Sequence, residues 1–212
     1  MKRATTAHKL MCSTSLNGLM SELVVSADFK ESGRQRMQTP LDQLIEQINR
    51  AANEGLHLLA IGMAVALPAI CSSLEKEDGR SDGKDYIRWC KTNLVGGNFS
   101  FITAEQMYSI RCGVLHSGRA DITNKSGSPD DSDNGIKRVI FMPPGPFTST
   151  SGQINDAYTY SVIEFCKNMG QAIMVWYEAN KNDKFINANI GKMMSYHPNG
   201  LTPYVSGVSV IA

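Results

Sequence analysis

The stretch LHLLAIGMAVALPAICSSL, Leu56 to Leu74, runs nineteen residues without a charge, and its reading decides the fold. That is the length of a membrane span. Against a span stand His57, Pro68 and the Ser72-Ser73 pair within it, the lack of a second such stretch, and a mean hydropathy of −0.21 for the chain. A helix buried on most sides at the centre of a bundle accommodates the same residues. On that reading the chain is a helical domain and no membrane partner is expected.

Toward the N-terminus, MQTPLDQLIEQINRAANEG from Met37 places Thr39 as a cap and Pro40 in the first turn, with Leu41, Leu44, Ile45 and Ile48 at helical spacing. The domain is therefore expected over residues 37–212. Residues 1–36 mix Ser, Thr, Lys and Arg without sustained periodicity, and read as a flexible extension or as a start codon placed too far upstream. No apolar run of signal-peptide length follows the basic start.

Toward the C-terminus, the polar EKEDGRSDGKD segment reads as a loop before a shorter helix, Tyr86 to Leu94, closed by Gly96-Gly97. ITAEQMYSIRCGVLHSG then opens on Thr103, with Gln106 three residues on as in a capping box, and stops at Gly118, a natural left-handed terminus. A polar run of seventeen residues leads to KRVIFMPPGP, which predicts one short strand near Val139-Phe141. INDAYTYSVIEFCKNMGQAIMVWYEANK predicts the last long helix, from apolar residues every three or four positions. A second short strand, Val208-Ile211, is expected to pair with the first. The fold class is all-α: a four- to five-helix bundle with a minor β element.

With 21 Lys+Arg against 20 Asp+Glu, the chain has no global basic field, so a polyanion would need a local site. The five cysteines, Cys12, Cys71, Cys90, Cys112 and Cys166, are widely spaced and mostly set among apolar residues. They read as reduced thiols of a cytoplasmic protein. No cofactor and no metal are expected: neither a Cys-x2-Cys pair nor a histidine with ligands at metal spacing occurs. Asp130, Ser132, Asn134 and Gly135 match the start of a calcium loop, but the twelfth place, where a bidentate Glu belongs, is Phe141. EDGRSDG lacks the ending of a phosphate loop, and no Gly-x-Ser-x-Gly elbow is present.

Arg111 and His116 remain as candidate catalytic residues. Five residues on a straight helix rotate the chain by about 140°, so the side chains are not expected to share a face. They converge only if the helix loosens near Gly118, if the long Arg111 stem reaches around, or if a symmetric partner supplies the other half. Gly113 between them permits close approach of another backbone. An imidazole exchanges a proton near neutral pH and a guanidinium clamps a phosphate. Together they suffice for attack of a ribose 2'-hydroxyl on the adjacent phosphodiester without a metal, because the nucleophile is part of the substrate. The bland alternative is a surface arginine and a histidine bonding helix-end carbonyls.

YSIRCGVLHSG, near the end of a mid-chain helix, resembles the HEPN superfamily, whose motif is Arg-x4-6-His. The order ALPAICSSLE, DYIRWCKTNL, ITAEQMYSIRCGVLHSGRA, RVIFMPP and VIEFCKNMGQAIMVWYE is similar to that of a group of uncharacterised bacterial proteins of about this size, over Met37 to Ala212. The resemblance implies a HEPN-like helical bundle that pairs as a homodimer, and a metal-independent endoribonuclease acting as a toxin or as a phage-defence or stress effector. It makes Arg111 the phosphate-binding group and His116 the general acid or base, with RNA as substrate and an antitoxin or regulatory protein as a further partner. Active members often carry Asn, Asp or His after the motif arginine, where this chain has Cys112. The alternative is therefore a catalytically inactive HEPN-like interaction or nucleotide-binding module.

Overall fold

A computed structural model describes residues 39–94, 97–122, 135–145 and 151–212. The expected extension, 1–36, lies outside the described residues, as do Cys12, His8 and the Asp130, Ser132 and Asn134 of the calcium-like pattern.

The uncharged stretch is the helix α2, His57–Leu74. It is long and apolar enough to cross a membrane, but half of it is buried inside the protein. Ala60, Ala64, Val65, Leu67 and Cys71 lie in the core. Pro68 removes one backbone donor inside this helix, and neighbouring carbonyls gain side-chain partners. The Tyr86 hydroxyl donates to Val65 O at 2.9 Å, and Ser72 and Ser81 both donate to Ala69 O.

Around α2 pack α1 (Pro40–Asn53), α3 (Gly83–Asn93), α4 (Ala104–Ser117) and α5 (Val162–Asn180). Thr39 caps α1 in a box with Asp42, and Pro40 stands in its first turn. A β-carbon on Gly170 of α5 would lie 2.8 Å from Ile45 Cγ2, so the missing side chain lets α1 and α5 approach. Trp89 and Trp176 meet edge to face at 5.8 Å between α3 and α5.

A sixth helix, α6 (Lys184–Ile190), was not expected from periodicity; Asp183 caps it through the amides of Phe185 and Ile186. Asn189 at its end is buried, and its amide donates to Leu74 O at 3.3 Å and Lys76 O at 2.7 Å, closing the C-terminus of α2 from more than a hundred residues away. Helix α3 begins three residues earlier than expected. Asp82 accepts from the amides of Lys84 and Asp85 in a capping box, a start that the glycine at position 83 hides from a propensity reading.

The β content is larger than expected. Strand β1 (Arg138–Met142) forms where a strand was expected, but it does not pair with the C-terminal tail. It runs parallel to β3 (Ala157–Ser161), which pairs antiparallel with β2 (Gly152–Ile154). Residues 154–161 are therefore strand and turn rather than the first turns of the last helix. Asn155, at φ 55, makes the tight turn between β2 and β3. Tyr158 stacks on Phe101 at 3.8 Å, and Tyr160 lies edge to face with Phe165. The tail forms two small ladders, β4 (Tyr196–His197) with β7 (Val210–Ile211) and β5 (Gly200–Leu201) with β6 (Val205–Ser206).

Candidate functional site

Helix α4 exists because its ends are specified. Thr103 Oγ1 accepts from Gln106 N while Gln106 reaches back to Thr103 N at 2.9 Å, and Glu105 adds negative charge at the positive end of the helix. At the other end Gly118 is left-handed, φ 62, and its amide turns back to Gly113 O and Val114 O. Arg119 N follows, donating to Gly113 O at 3.0 Å.

This return path requires Gly113. A β-carbon there would lie 2.5 Å from Arg119 O, a backbone atom with no freedom to yield. Past it, Asp121 bridges to β1, and its carboxylate holds both Arg119, at 3.0 Å, and Arg138, at 3.2 Å. The chain leaving the helix is thus pinned against the sheet.

Arg111 and His116 do meet within one chain, contrary to the expectation from their rotation about the axis. Arg111 Nη1 lies 3.1 Å from His116 Nε2. Since α4 stays helical through Ser117, the convergence comes from the arginine stem, which spans the five-residue rise of about 7.5 Å and bends across the helix surface. A guanidinium has only donors, so in this contact Nε2 is the accepting atom. Arg111 is half-buried and His116 exposed.

Tyr108, one turn before Arg111, and Cys112, directly after it, complete the surroundings. Arg111 Nη1 is 3.9 Å from Cys112 Sγ. Side-chain hydrogen bonding with Cys112, with burial adding, pushes the Tyr108 phenol above its ordinary value. Burial pushes Tyr86 well above its own, while the nearby Arg111 charge opposes it. Arg111 Nε is buried without a partner among the described residues. The guanidinium thus turns Nη1 to His116 while its charge is felt by Tyr86 and Tyr108. Sequence reading passed over Tyr108, although its place one turn before Arg111 and Cys112 was a visible signal.

The other candidates stay apart. His57 opens α2, and His197 Nε2 is 3.1 Å from Ser195 Oγ in the tail. Among the described residues no three His, Cys, Asp or Glu side chains gather as a metal cluster. Phe141, the missing calcium ligand, packs against Phe165, and the EDGRSDG turn ends by supplying the Asp82 cap. Cys71, Cys90 and Cys166 are buried and free, whereas Cys112 is half-buried.

Exposed apolar side chains lie on α2 and at Leu115, the residue before His116. Leu58, Leu59 and Met63 of α2 are 85%, 65% and 40% exposed, and Leu115 of α4 is 41% exposed. A β-carbon on Gly62 would be 3.9 Å from Leu115 Cδ2, so the two helices present these side chains together.

Fold and site define a mainly helical domain with a small mixed sheet and an arginine–histidine pair at the end of one helix. Compared with protein-family models, curated proteins and solved structures, the chain matches none.

Proposed function

We propose that this domain is a cytoplasmic, metal-independent endoribonuclease of HEPN type, in which Arg111 and His116 cleave RNA by attack of a 2'-hydroxyl on the adjacent phosphodiester. The observation that carries this reading is the 3.1 Å contact between the guanidinium and the imidazole at an exposed helix end. It makes a site possible within one subunit, without a second copy to complete it.

In the free protein the His116 Nε2 lone pair is occupied by Arg111. A phosphate is the stronger partner for a guanidinium, through two charge-assisted bonds. Substrate therefore draws Arg111 away and leaves Nε2 free to take the 2'-hydroxyl proton as the 2'-oxygen bonds to phosphorus, while Arg111 neutralises the charge growing on the phosphorane oxygens. The P–O5' bond then breaks, the 2',3'-cyclic phosphate remains, and the departing 5'-oxygen takes its proton from water.

The test is incubation of the purified protein with RNA in EDTA, read on a denaturing gel for fragments bearing 2',3'-cyclic phosphate ends. His116→Ala and Arg111→Ala are each expected to lower the rate by about a hundredfold or more, the usual worth of a general base or a charge-stabilising donor. Intact RNA with the wild type, or equal cleavage by all three proteins, sinks the reading.

The exposed apolar face of Leu58, Leu59, Met63 and Leu115 favours a second reading, a catalytically silent module that pairs with another copy or binds a regulatory protein. In that case Arg111 and His116 bond each other permanently. Leu59→Glu then abolishes the dimer seen by sedimentation, and RNA stays uncut.

A further inference from the structure

The chain as a whole carries a net charge of only +1, so a strand of phosphates needs a local cluster of cations. One lies beside the arginine–histidine pair. Arg119 and Arg138, with side chains 62% and 57% exposed, share the single carboxylate of Asp121. Neither bonds another carboxylate among the described residues. Two guanidiniums on one carboxylate leave a positive charge unbalanced, and the neighbouring Lys137 is matched by Asp156 at 3.8 Å.

Backbone geometry fixes where this cluster sits. Asp121 and Arg138 face each other in an antiparallel bridge, and Ile122 N donates to Lys137 O at 2.8 Å. Side chains directly opposite in such a pair lie on one face. On β1 that face is the outward one, since Val139 is buried while Arg138 and Ile140 are exposed. The chain arriving from α4 is held at Gly113, where Arg119 N donates to Gly113 O. Gly113 and His116 are three residues apart, so their positions are neighbours on one flank of the helix. Arg111, two residues before Gly113, starts from the other flank and reaches His116 across the exposed side. His116 therefore stands between the guanidinium of Arg111 and the segment that carries Arg119.

Asp121 orients the two arginines without cancelling them. Arg119 turns Nε and Nη2 to Asp121 Oδ2, at 3.3 and 3.0 Å, and Arg138 turns Nη2 to Oδ1 at 3.2 Å. A guanidinium has five N–H donors. Nη1 of Arg119, and Nη1 and Nε of Arg138, thus keep their hydrogens for a ligand. Exposed ion pairs are weak, and a phosphate offers charge-assisted bonds to both side chains at once.

We propose that Arg119 and Arg138 bind a second phosphate of the substrate strand, the one adjoining the phosphate that is cut. This rests on RNA as the ligand of the arginine–histidine pair. Its consequence is a dependence on strand length. A dinucleotide, with one phosphate, engages Arg111 alone, whereas a longer strand also engages Arg119 and Arg138. These two hold the strand and touch no reacting atom.

The test compares a dinucleotide with a tetranucleotide, both unphosphorylated at their ends and each cleavable at one linkage because the other sugars are 2'-O-methylated. The wild type is expected to show a KM about tenfold or more lower for the tetranucleotide, the worth of one charge-assisted contact. Arg119→Gln/Arg138→Gln is expected to lose that advantage with kcat and the dinucleotide KM unchanged. Arg119→Lys/Arg138→Lys is expected to keep most of it, since an ammonium still neutralises a phosphate. Anisotropy with fully 2'-O-methylated strands, which no 2'-hydroxyl attack can cut, separates the subsite from the nuclease reading. Uncut RNA, with length-dependent binding lost only in the Gln variant, sinks the nuclease and keeps the subsite; no binding of either strand sinks both. Equal affinity for the short and long strands in the wild type, an undiminished length advantage in the Gln variant, equal loss in the Lys and Gln variants, or loss of dinucleotide cleavage in the Gln variant would overturn the subsite.

Discussion

The residue on which the candidate site turns is neither Arg111 nor His116 but Gly113 between them. Its missing β-carbon admits the Arg119 carbonyl, which lets the chain fold back at Gly118 and keeps the last turn tight under His116. Gly113→Ala puts two effects in opposition. Alanine favours the helix by about 1 kcal/mol, while a forced contact with fixed backbone costs about 1–3 kcal/mol. The clash wins because the obstructing atom is backbone and is bonded in place. We expect a net loss of up to about 2 kcal/mol in urea unfolding, together with weakening of the proposed RNA cleavage, as the His116 turn is displaced. An unchanged or raised urea midpoint would show that the return path bends freely. The reach of the Arg111 stem was one of three routes to convergence open in the sequence, and which of the three holds was not legible. Helical rotation sets the two side chains apart, and the length of the arginine stem closes the gap.

At the scale of elements, what was legible followed from hydrogen-bond chemistry at helix ends. Thr39 with Asp42, Thr103 with Gln106 and the left-handed Gly118 bound their helices where expected, because a capping side chain satisfies local amides whatever the rest of the fold does. Thr103→Ala removes one such bond from α4 and is expected to cost about 1 kcal/mol, seen as a lower urea midpoint with the slope unchanged. Since the cap lies at the opposite end of α4 from His116, cleavage by the protein that remains folded should match the wild type. Activity lost in proportion beyond the unfolded fraction would instead couple the two ends. Strand β3 was not legible. Tyr158, Val162 and Phe165 keep a spacing of three and four across the boundary, so the helical pattern runs backward into residues that are strand. Only the partners decide: β1 offers a free edge and Phe101 a flat ring, and both are brought there by tertiary packing. In the tail a strand was expected over Val208-Ile211 and forms over Val210–Ile211, but it pairs with Tyr196–His197 rather than with β1; the other short tail strands were not legible, since two-residue ladders carry almost no periodic signal.

At the scale of the whole molecule, one core gathers side chains from α1 to α6 and from the sheet, and three thiols lie inside it. Burial pushes Cys90 and Cys166 up to about 12, and Cys71 well above its ordinary value. The folded state therefore keeps these protons where the unfolded chain, with thiols near ~8.5, gives them up. Their contribution to stability is full below that value and is lost as pH rises toward 12. Tyr86 and Tyr160, also raised by burial, act in the same direction at higher pH. The urea midpoint is expected to stay level from neutral pH to the ordinary thiol value and then to fall steadily through alkaline pH. In a Cys12→Ser background, a thiol reagent at mildly alkaline pH should modify Cys112 rapidly and the three core cysteines only at the rate of unfolding. Fast modification of all four would mean that the core opens without global unfolding.

The bonds from Asn189 to the end of α2 carry a consequence for biosynthesis. The carbonyls of Leu74 and Lys76 are made early, and the amide that covers them lies 113 residues beyond Lys76. At ribosomal speeds of roughly 5–20 residues per second, that partner emerges about 6–23 seconds later. During this interval the most apolar helix among the described residues waits with its C-terminus open and its flanks uncovered by α5, the exposed apolar surface that makes a nascent chain prone to aggregate.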